Sequence, residues 1–461
     1  MLYSYWESEM YDEVKKERLF TNQQLLALLW PLIIEQALGV LVGMADTVMV
    51  SSVGEAAISG VSLVDMINQL IITVFGALAT GGAVVTSQHL GAKRPEEAAR
   101  SAGQLVGLSG ILGTTVAVFC LVTRTAQLRL FFGTISEDVM QACLTYFTIT
   151  ALSFPFLALY NAGAAIFRST GNSAVSMKVS VLVNAINFCG NALCVFVLRM
   201  GVAGVAVPTL VSRAVGAVII LSLAARRDYA LCITPRTVTR LEGRTVKGIL
   251  YIGIPSAFEN SLFQLGRVLV VSMISLFGTV HISANAVANN LDAVGCIVGN
   301  AMGLAMITVV GRCVGAQDFE QTKHYTKKLL LWDYIAQGTV NLLVLLFLNR
   351  ILGMYTLSPE TRALSWTLVM IHNGVAILLW PAGFVLPNAL RAANDVRFTM
   401  VTSILSMIVW RMGLSWILCV NMGMGAVGVW LAMVVDWICR VTCFVIRFAS
   451  GAWQKSAMKK V

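Results

Sequence analysis

Long apolar runs dominate this chain, and short charged or Gly- and Pro-containing segments break them at near-regular intervals. Each run holds about 20 residues or more, enough for an α-helix to cross a hydrocarbon core of roughly 30 Å. Reading from break to break predicts twelve spans: 25–50, 58–85, 102–123, 141–166, 176–198, 202–224, 248–277, 283–310, 329–348, 363–388, 398–420 and 424–446. A membrane β-barrel would show short segments of alternating polarity instead. The composition agrees: 57% of residues are hydrophobic and 12% charged, where soluble domains average about 25% charged. The expected fold class is an all-α polytopic membrane protein.

Charge adds an orientation. The net charge of +10 would suit nucleic acid, but its placement argues for topology instead. Of 33 Lys and Arg, 24 fall in the two termini and the even-numbered loops and five in the odd-numbered loops. The remaining four, Arg213, Arg267, Arg411 and Arg440, fall within spans. The positive-inside rule then places both termini in the cytoplasm, in a plasma or inner membrane. The first 20 residues lack the basic and apolar regions of a cleaved signal peptide, so the first span is expected to be retained.

The spans also repeat. At an offset of 224, Pro31 meets Pro255, Glu35 meets Glu259, Met49 meets Met273, and Ile58–Ser59 meets Ile282–Ser283. Further on, Gly91–Ala92 meets Gly315–Ala316 and Met200–Gly201 meets Met424–Gly425, while Arg168 meets Arg391 at 223. Each copy holds six spans, an even number, so both enter from the same side and form parallel repeats. The expected organisation is a cytoplasmic segment 1–24, an N-lobe 25–224, a basic inter-lobe loop 225–247, a C-lobe 248–446 and a cytoplasmic tail 447–461. Two pseudo-symmetric six-helix lobes around a cleft suit alternating access.

Ionisable groups inside the bilayer are costly and are read first as functional. Glu35 and Glu259 each follow a repeated proline by four residues, in the first third of their helices. They read either as a structural element kept through duplication or as cation-attracting groups in an inward-facing cleft, as does Asp292. Asp46 differs, because its repeat partner is Val270. Desolvation disfavours an isolated carboxylate, so Asp46 is expected to hold a proton or Na⁺. Asn184, Asn187 and Asn191 follow at i, i+3 and i+7 on one face of span five, and Thr209 follows Pro208 in span six. Asp65, Asp333 and Asp436 are expected near interfaces or paired with neighbours, and Arg213, Arg267 and Arg411 across from carboxylates. The ten cysteines form no CxxC and no metal spacing with His, so they read as packing residues.

These features together resemble the multidrug and toxic compound extrusion (MATE) family over about residues 20–450. The supporting segments are "WPLIIEQALGVLVGMADTVMVSSVGEAAISGVSL", "HLGAKRPEEA", "CVGAQDFEQT", "IFRSTGNS" and "GVAGVAVPTL". The resemblance implies twelve helices in two lobes that export amphipathic, cationic compounds in exchange for H⁺ or Na⁺. It matches Asp46 to an N-lobe aspartate, and Asn187 and Thr209 to polar neighbours. It also sets Asn191 where some members carry a second aspartate. With one acid among neutral groups, H⁺ is slightly preferred. Phe263 and Trp380 stand at the acidic positions of C-lobe-coupled relatives, which points to the DinF-like, N-lobe-coupled type.

No cofactor is expected, nor any metal beyond Na⁺ at Asp46. The expected partners are a small organic substrate and the bilayer, with the chain a monomer. The alternative keeps two lobes but flips a lipid-linked oligosaccharide or cell-wall precursor, whose anionic head group would use Arg213, Arg267 and Arg411. An enzyme is disfavoured: the four histidines (89, 281, 324, 372) are dispersed, and HExxH and GxSxG are absent.

Overall fold

The computed structural model describes residues 18–458 apart from 134 and 230. Most of the predicted N-terminal segment and the last residues of the tail lie outside the described residues. Within them, the secondary structure is entirely helical. The N-lobe comprises α1 (Asn22–Ser51), α2 (Glu55–Gly91), α3 (Pro95–Phe132), α4 (Glu137–Leu152), α5 (Phe154–Ser169), α6 (Ser173–Ala192) and α7 (Ala203–Ala224). A short α8 (Pro235–Thr239) lies in the connection. The C-lobe comprises α9 (Gly243–Ser275), α10 (Thr279–Gly295), α11 (Ile297–Gly315), α12 (Phe319–Leu346), α13 (Leu348–Gly353), α14 (Pro359–Trp380), α15 (Leu386–Ala392), α16 (Val396–Ser406) and α17 (Gly425–Ala449).

Twelve spans result. Ten helices are long and apolar enough by themselves, and α4 with α5, bent by 45° at Ser153, makes an eleventh. The twelfth is α9, which is 33 residues long but carries Glu259, Asn260, Gln264 and Arg267 in its apolar stretch. The helices overrun the predicted spans because they extend into the polar margins, where caps finish them. Thr21 accepts from the Gln24 N–H while Gln24 bonds back to Thr21, a capping box that starts α1. Pro31 and Pro255 sit inside continuous helices.

The duplication reaches the backbone. Left-handed residues recur in matching turns: Gly54 with Gly278, Lys93 (φ 57°) with Gln317 (φ 56°), and Gly171 with Asn394. Lys93 and Gln317 adopt this conformation without being glycine, so the repeated turn and not the residue type dictates it. Wide i→i+5 turns also recur, at 193–197 in span five and 407–421 in span eleven, broken at Ser415.

Spans two and seven pack together between the lobes, as do spans one and eight. Cross-lobe hydrogen bonds gather at the face carrying the chain termini and obey the same pseudo-symmetry. Gln88 Nε2 donates to Ala392 O (2.8 Å) and Asn394 Oδ1 (3.0 Å). Its repeat equivalent, Arg312, donates to Ser169 O from Nε (3.2 Å) and Nη2 (2.9 Å). Between them Gly91 and Gly315 cross so closely that a Cβ on either would stand 2.0 Å from a backbone oxygen of the other lobe. The segment leading into α1 is stitched across as well: Tyr325 OH donates to Phe20 O at 2.7 Å and accepts from Phe20 N at 3.0 Å.

Candidate functional site

In the N-lobe, spans one, five and six bring Asp46, Asn187, Asn191 and Thr209 together. The Thr209 hydroxyl is spent on Val205 O (2.9 Å), as is common for a helical threonine, so its oxygen accepts from Asn187 Nδ2 (3.0 Å). Asn187 Oδ1 then accepts from Asn191 Nδ2 (3.3 Å), which also donates to Asp46 Oδ1 at 2.8 Å. Both asparagines are buried and Asp46 is half-buried. With both Asn191 amide hydrogens used, its Oδ1 is left buried without a hydrogen-bond partner. An acceptor unfilled among the described residues, beside a carboxylate to which none of them supplies a fixed counter-cation, suits a group that takes up and releases a cation. Asn184 stays apart and bonds Ser180 (3.3 Å).

A second acid stands nearby. Asp65, read from sequence as interfacial or paired, lies within electrostatic range of Asp46. It accepts from Tyr146 OH (3.1 Å) and Asn68 Nδ2 (3.2 Å), and Arg213 lies within range of it while donating to Ser153 Oγ at 2.7 Å. Sequence reading did not name Tyr146; one phenol in an apolar span gives no periodic signal, and only the packing of span four on span two reveals it.

The repeated glutamates occupy ion pairs. Glu259 Oε1 stands 2.7 Å from Arg391 Nη2, and Glu35 Oε1 3.5 Å from Arg168 Nη1, with Ser176 Oγ donating to Glu35 Oε2 at 3.0 Å. The arginines are themselves repeat equivalents. Each carboxylate thus already has a counter-cation, placed by the end of span four or ten, which fits the reading of a structural element kept through duplication. Asp292 is likewise engaged, 2.8 Å from His372 Nε2 and accepting from Cys296 Sγ at 3.1 Å. Cys296 thus departs from the packing role expected of the cysteines. These three side chains bring ligand-type atoms within 4.8 Å of one another.

The rest of the C-lobe's polar interior is charged and mostly matched. Fully buried Asp436 pairs with Arg440 (2.9 Å), accepts from Ser406 Oγ (2.5 Å) and has Arg411 at 4.0 Å. Asp333 departs from expectation: it is fully buried and neither carboxylate oxygen has a hydrogen-bond partner. A cavity of about 240 Å³ opens beside these groups, walled by Phe263, Trp380 and Phe384 and edged by Glu259, Arg391 and Arg440. Arg411 and Arg440 lie over the Phe263 ring, 5.1 and 5.7 Å from its centre.

Known proteins agree with this architecture. The chain is 27% identical over 444 residues to the Bacillus subtilis (strain 168) protein described as uncharacterized transporter YisQ, covering 94% of this chain and 95% of that one. It is 24% identical over 466 residues to a Thermotoga maritima protein described as probable multidrug resistance protein NorM, covering 99% and 96%. Its fold matches a solved structure described as the outward-facing conformation of a multidrug resistance MATE family transporter of the MOP superfamily. That match has a TM-score of 0.87 at 21% identity and covers 94% of this chain and 96% of the other. The profile of the family described as MatE matches twice, over 31–193 and 255–417, so the second match begins and ends 224 residues after the first. With matches of that extent in both lobes, the chain belongs to the MatE family of membrane transporters.

Proposed function

We propose that this transporter exports amphipathic, cationic organic compounds such as drugs or toxins, in exchange for H⁺ or Na⁺ bound at Asp46. The carrying observation is the train Thr209–Asn187–Asn191–Asp46, which ties the state of one carboxylate to the packing of spans one, five and six. A proton on Asp46 makes it a donor that can turn to the unpaired Asn191 Oδ1, and a bound Na⁺ draws the same oxygen, so either cation favours a different arrangement of span one. Asp46 has an amide as its bonded neighbour, and the nearby Asp65 is already engaged by Tyr146 and Asn68, which favours H⁺, because Na⁺ prefers several hard oxygen ligands. The C-lobe cavity, aromatic and internally charge-paired, supports binding of the apolar rings of such a substrate. The charge bias of the loops supports cytoplasmic termini. The arrangement described is then the one closed to the cytoplasm, held by the Gln88 and Arg312 bonds. The flippase reading would use Arg213, Arg267 and Arg411; Arg213 and Arg411 already face partners of their own, which leaves it only the exposed Arg267.

The test uses proteoliposomes in which ΔpH and a Na⁺ gradient are imposed separately while a fluorescent organic cation is followed. One gradient is expected to drive transport in the native protein, and Asp46→Asn to abolish driven transport while inserting normally. Uphill transport by Asp46→Asn would overturn the coupling role.

A further inference from the structure

The hydrogen-bond polarity around His372 is fixed from outside. Asn341 Nδ2 donates to two backbone carbonyls, Gly295 O (3.1 Å) and Gln337 O (2.9 Å), so its amide has one orientation. Asn341 Oδ1 accepts from Asn373 Nδ2 at 2.9 Å, which turns Asn373 Oδ1 toward His372 Nδ1 at 3.3 Å. An amide oxygen only accepts, so Nδ1 carries a ring hydrogen, and in the neutral imidazole Nε2 points its lone pair at Asp292. Two lone pairs 2.8 Å apart repel unless something positive lies between them. Cys296 Sγ, 3.1 Å from the same carboxylate oxygen, supplies a third donor.

From this we infer that Asp292, Cys296 and His372 form a site for a borderline-soft divalent cation of the Zn²⁺ type, independent of the coupling role of Asp46. The donor set of carboxylate, thiolate and imidazole is one such ions choose. A carboxylate and a thiolate cancel a 2+ charge, and a neutral complex suits a low-dielectric interior. Metal-bound histidines donate their other ring N–H to an outer acceptor, the role Asn373 fills. Trp430 and Trp437 pack edge-to-face on the imidazole, with ring centres 5.5 and 4.9 Å from its own, and fix the ring. With side-chain exposure of 26% at Asp292 against 2% at His372, the carboxylate is the open side of the site. Bonds of about 2.0–2.3 Å require the three donor atoms to spread by less than about 1 Å. Binding releases the Cys296 proton, and any proton held between Asp292 and His372, to solvent. The N-lobe has no counterpart, since Asn68, Ile72 and Thr148 occupy the equivalent positions.

The experiment titrates Co²⁺ into the full-length purified protein, freed of any polyhistidine tag. The expected result is the intense visible spectrum of tetrahedral cobalt with a sulfur-to-metal charge-transfer band, both lost on adding equimolar Zn²⁺. Cys296→Ser should remove the charge-transfer band, and His372→Gln both features. Asn373→Ala, which leaves the ligands in place, should weaken affinity by about 10–100-fold and serves if His372→Gln misfolds. A spectrum of hydrated cobalt in the native protein, as a site holding only a proton would give, overturns the inference. So does a charge-transfer band that survives Cys296→Ser.

Discussion

The two lobes share a frame and differ in what they enclose. Both copies hold the glutamate–arginine pair, the left-handed turns and the cross-lobe hooks. The enclosed polar groups do not repeat. Asp46 stands opposite Val270, Asn187 opposite Arg411, Ser212 opposite Asp436 and Gly216 opposite Arg440. The N-lobe therefore sets a half-buried acid among neutral amides, with Asp65 and Arg213 nearby, and the C-lobe holds buried charges mostly tied to one another, Asp333 excepted. What both copies retain serves folding and closure, which act on the two halves alike. What one copy holds alone marks a task of that lobe. A carboxylate without a fixed counter-cation can change its charge state at little structural cost, whereas removing a charge from a matched buried pair strands its partner.

The largest effect should come from the shared frame. Gly91→Leu places side-chain atoms where a Cβ alone would be 2.0 Å from Arg312 O, and backbone cannot yield as a flexible side chain can. The terminal face should no longer close. Maleimide labelling of a cysteine placed at Ser87, buried against Gly311 of the other lobe, in a cysteine-free background, should rise about 5- to 150-fold, the ratio that overpacking of about 1–3 kcal/mol gives. Gly315→Leu should act equally, because the crossing is symmetric. Gly39→Leu, where a Cβ meets nothing within 4 Å, should leave labelling unchanged. Unequal effects of the two crossing glycines would break the symmetry argued here.

The next effect separates the two ion pairs. Glu259 and Arg391 are 2.7 Å apart with side chains 8% and 11% exposed, while Glu35 and Arg168 are 3.5 Å apart and 12% and 14% exposed. Removing one partner of a buried pair costs about 3–5 kcal/mol. Glu259→Gln is expected in that range. Glu35→Gln should cost about 1–2 kcal/mol, because its pair is longer and Ser176 still has a carboxamide oxygen to donate to. Thermal unfolding of the two variants in detergent decides this, and equal losses would show that geometry does not distinguish the lobes.

The frame was legible in the sequence because it rests on long-range regularities. Run length gave the spans, and a constant offset gave the lobes. The polar train was partly legible, since Asn187 and Asn191 share a helical face and Asp46 lacks a repeat partner. What stayed hidden was pairing between distant spans. Glu259 with Glu35, and Arg391 with Arg168, stood out as repeat positions, but nothing local says that they meet. His372 looked like one of four scattered histidines. Its contact with Asp292 depends on how span ten packs against the break in span eight at Cys296, which apolar periodicity does not encode. Asp333 shows the opposite failure: a carboxylate is expected to find a partner, and packing left this one without.

The smallest effects sharpen the N-lobe side of the comparison. Asn191→Ala removes the amide that reaches both Asp46 and Asn187 and should shift the ion concentration giving half-maximal transport by about tenfold, from roughly 1–3 kcal/mol of lost or unmatched bonding. Thr209→Val removes only the far end of the train. The Asn187 amide hydrogen it releases costs about 0.5–1.5 kcal/mol, so transport at saturating gradient should stay within about tenfold of native. Asn184→Ala, off the train, should match the native protein. The order Asp46, Asn191, Thr209 follows distance along one chain of hydrogen bonds, with Asn184 outside it. If Thr209→Val disables transport as fully as Asp46→Asn, Thr209 must itself meet the ion, and the train is a ligand shell and not a relay. Measuring both variants in one vesicle preparation, against H⁺ and Na⁺ in turn, separates those two structures of the site.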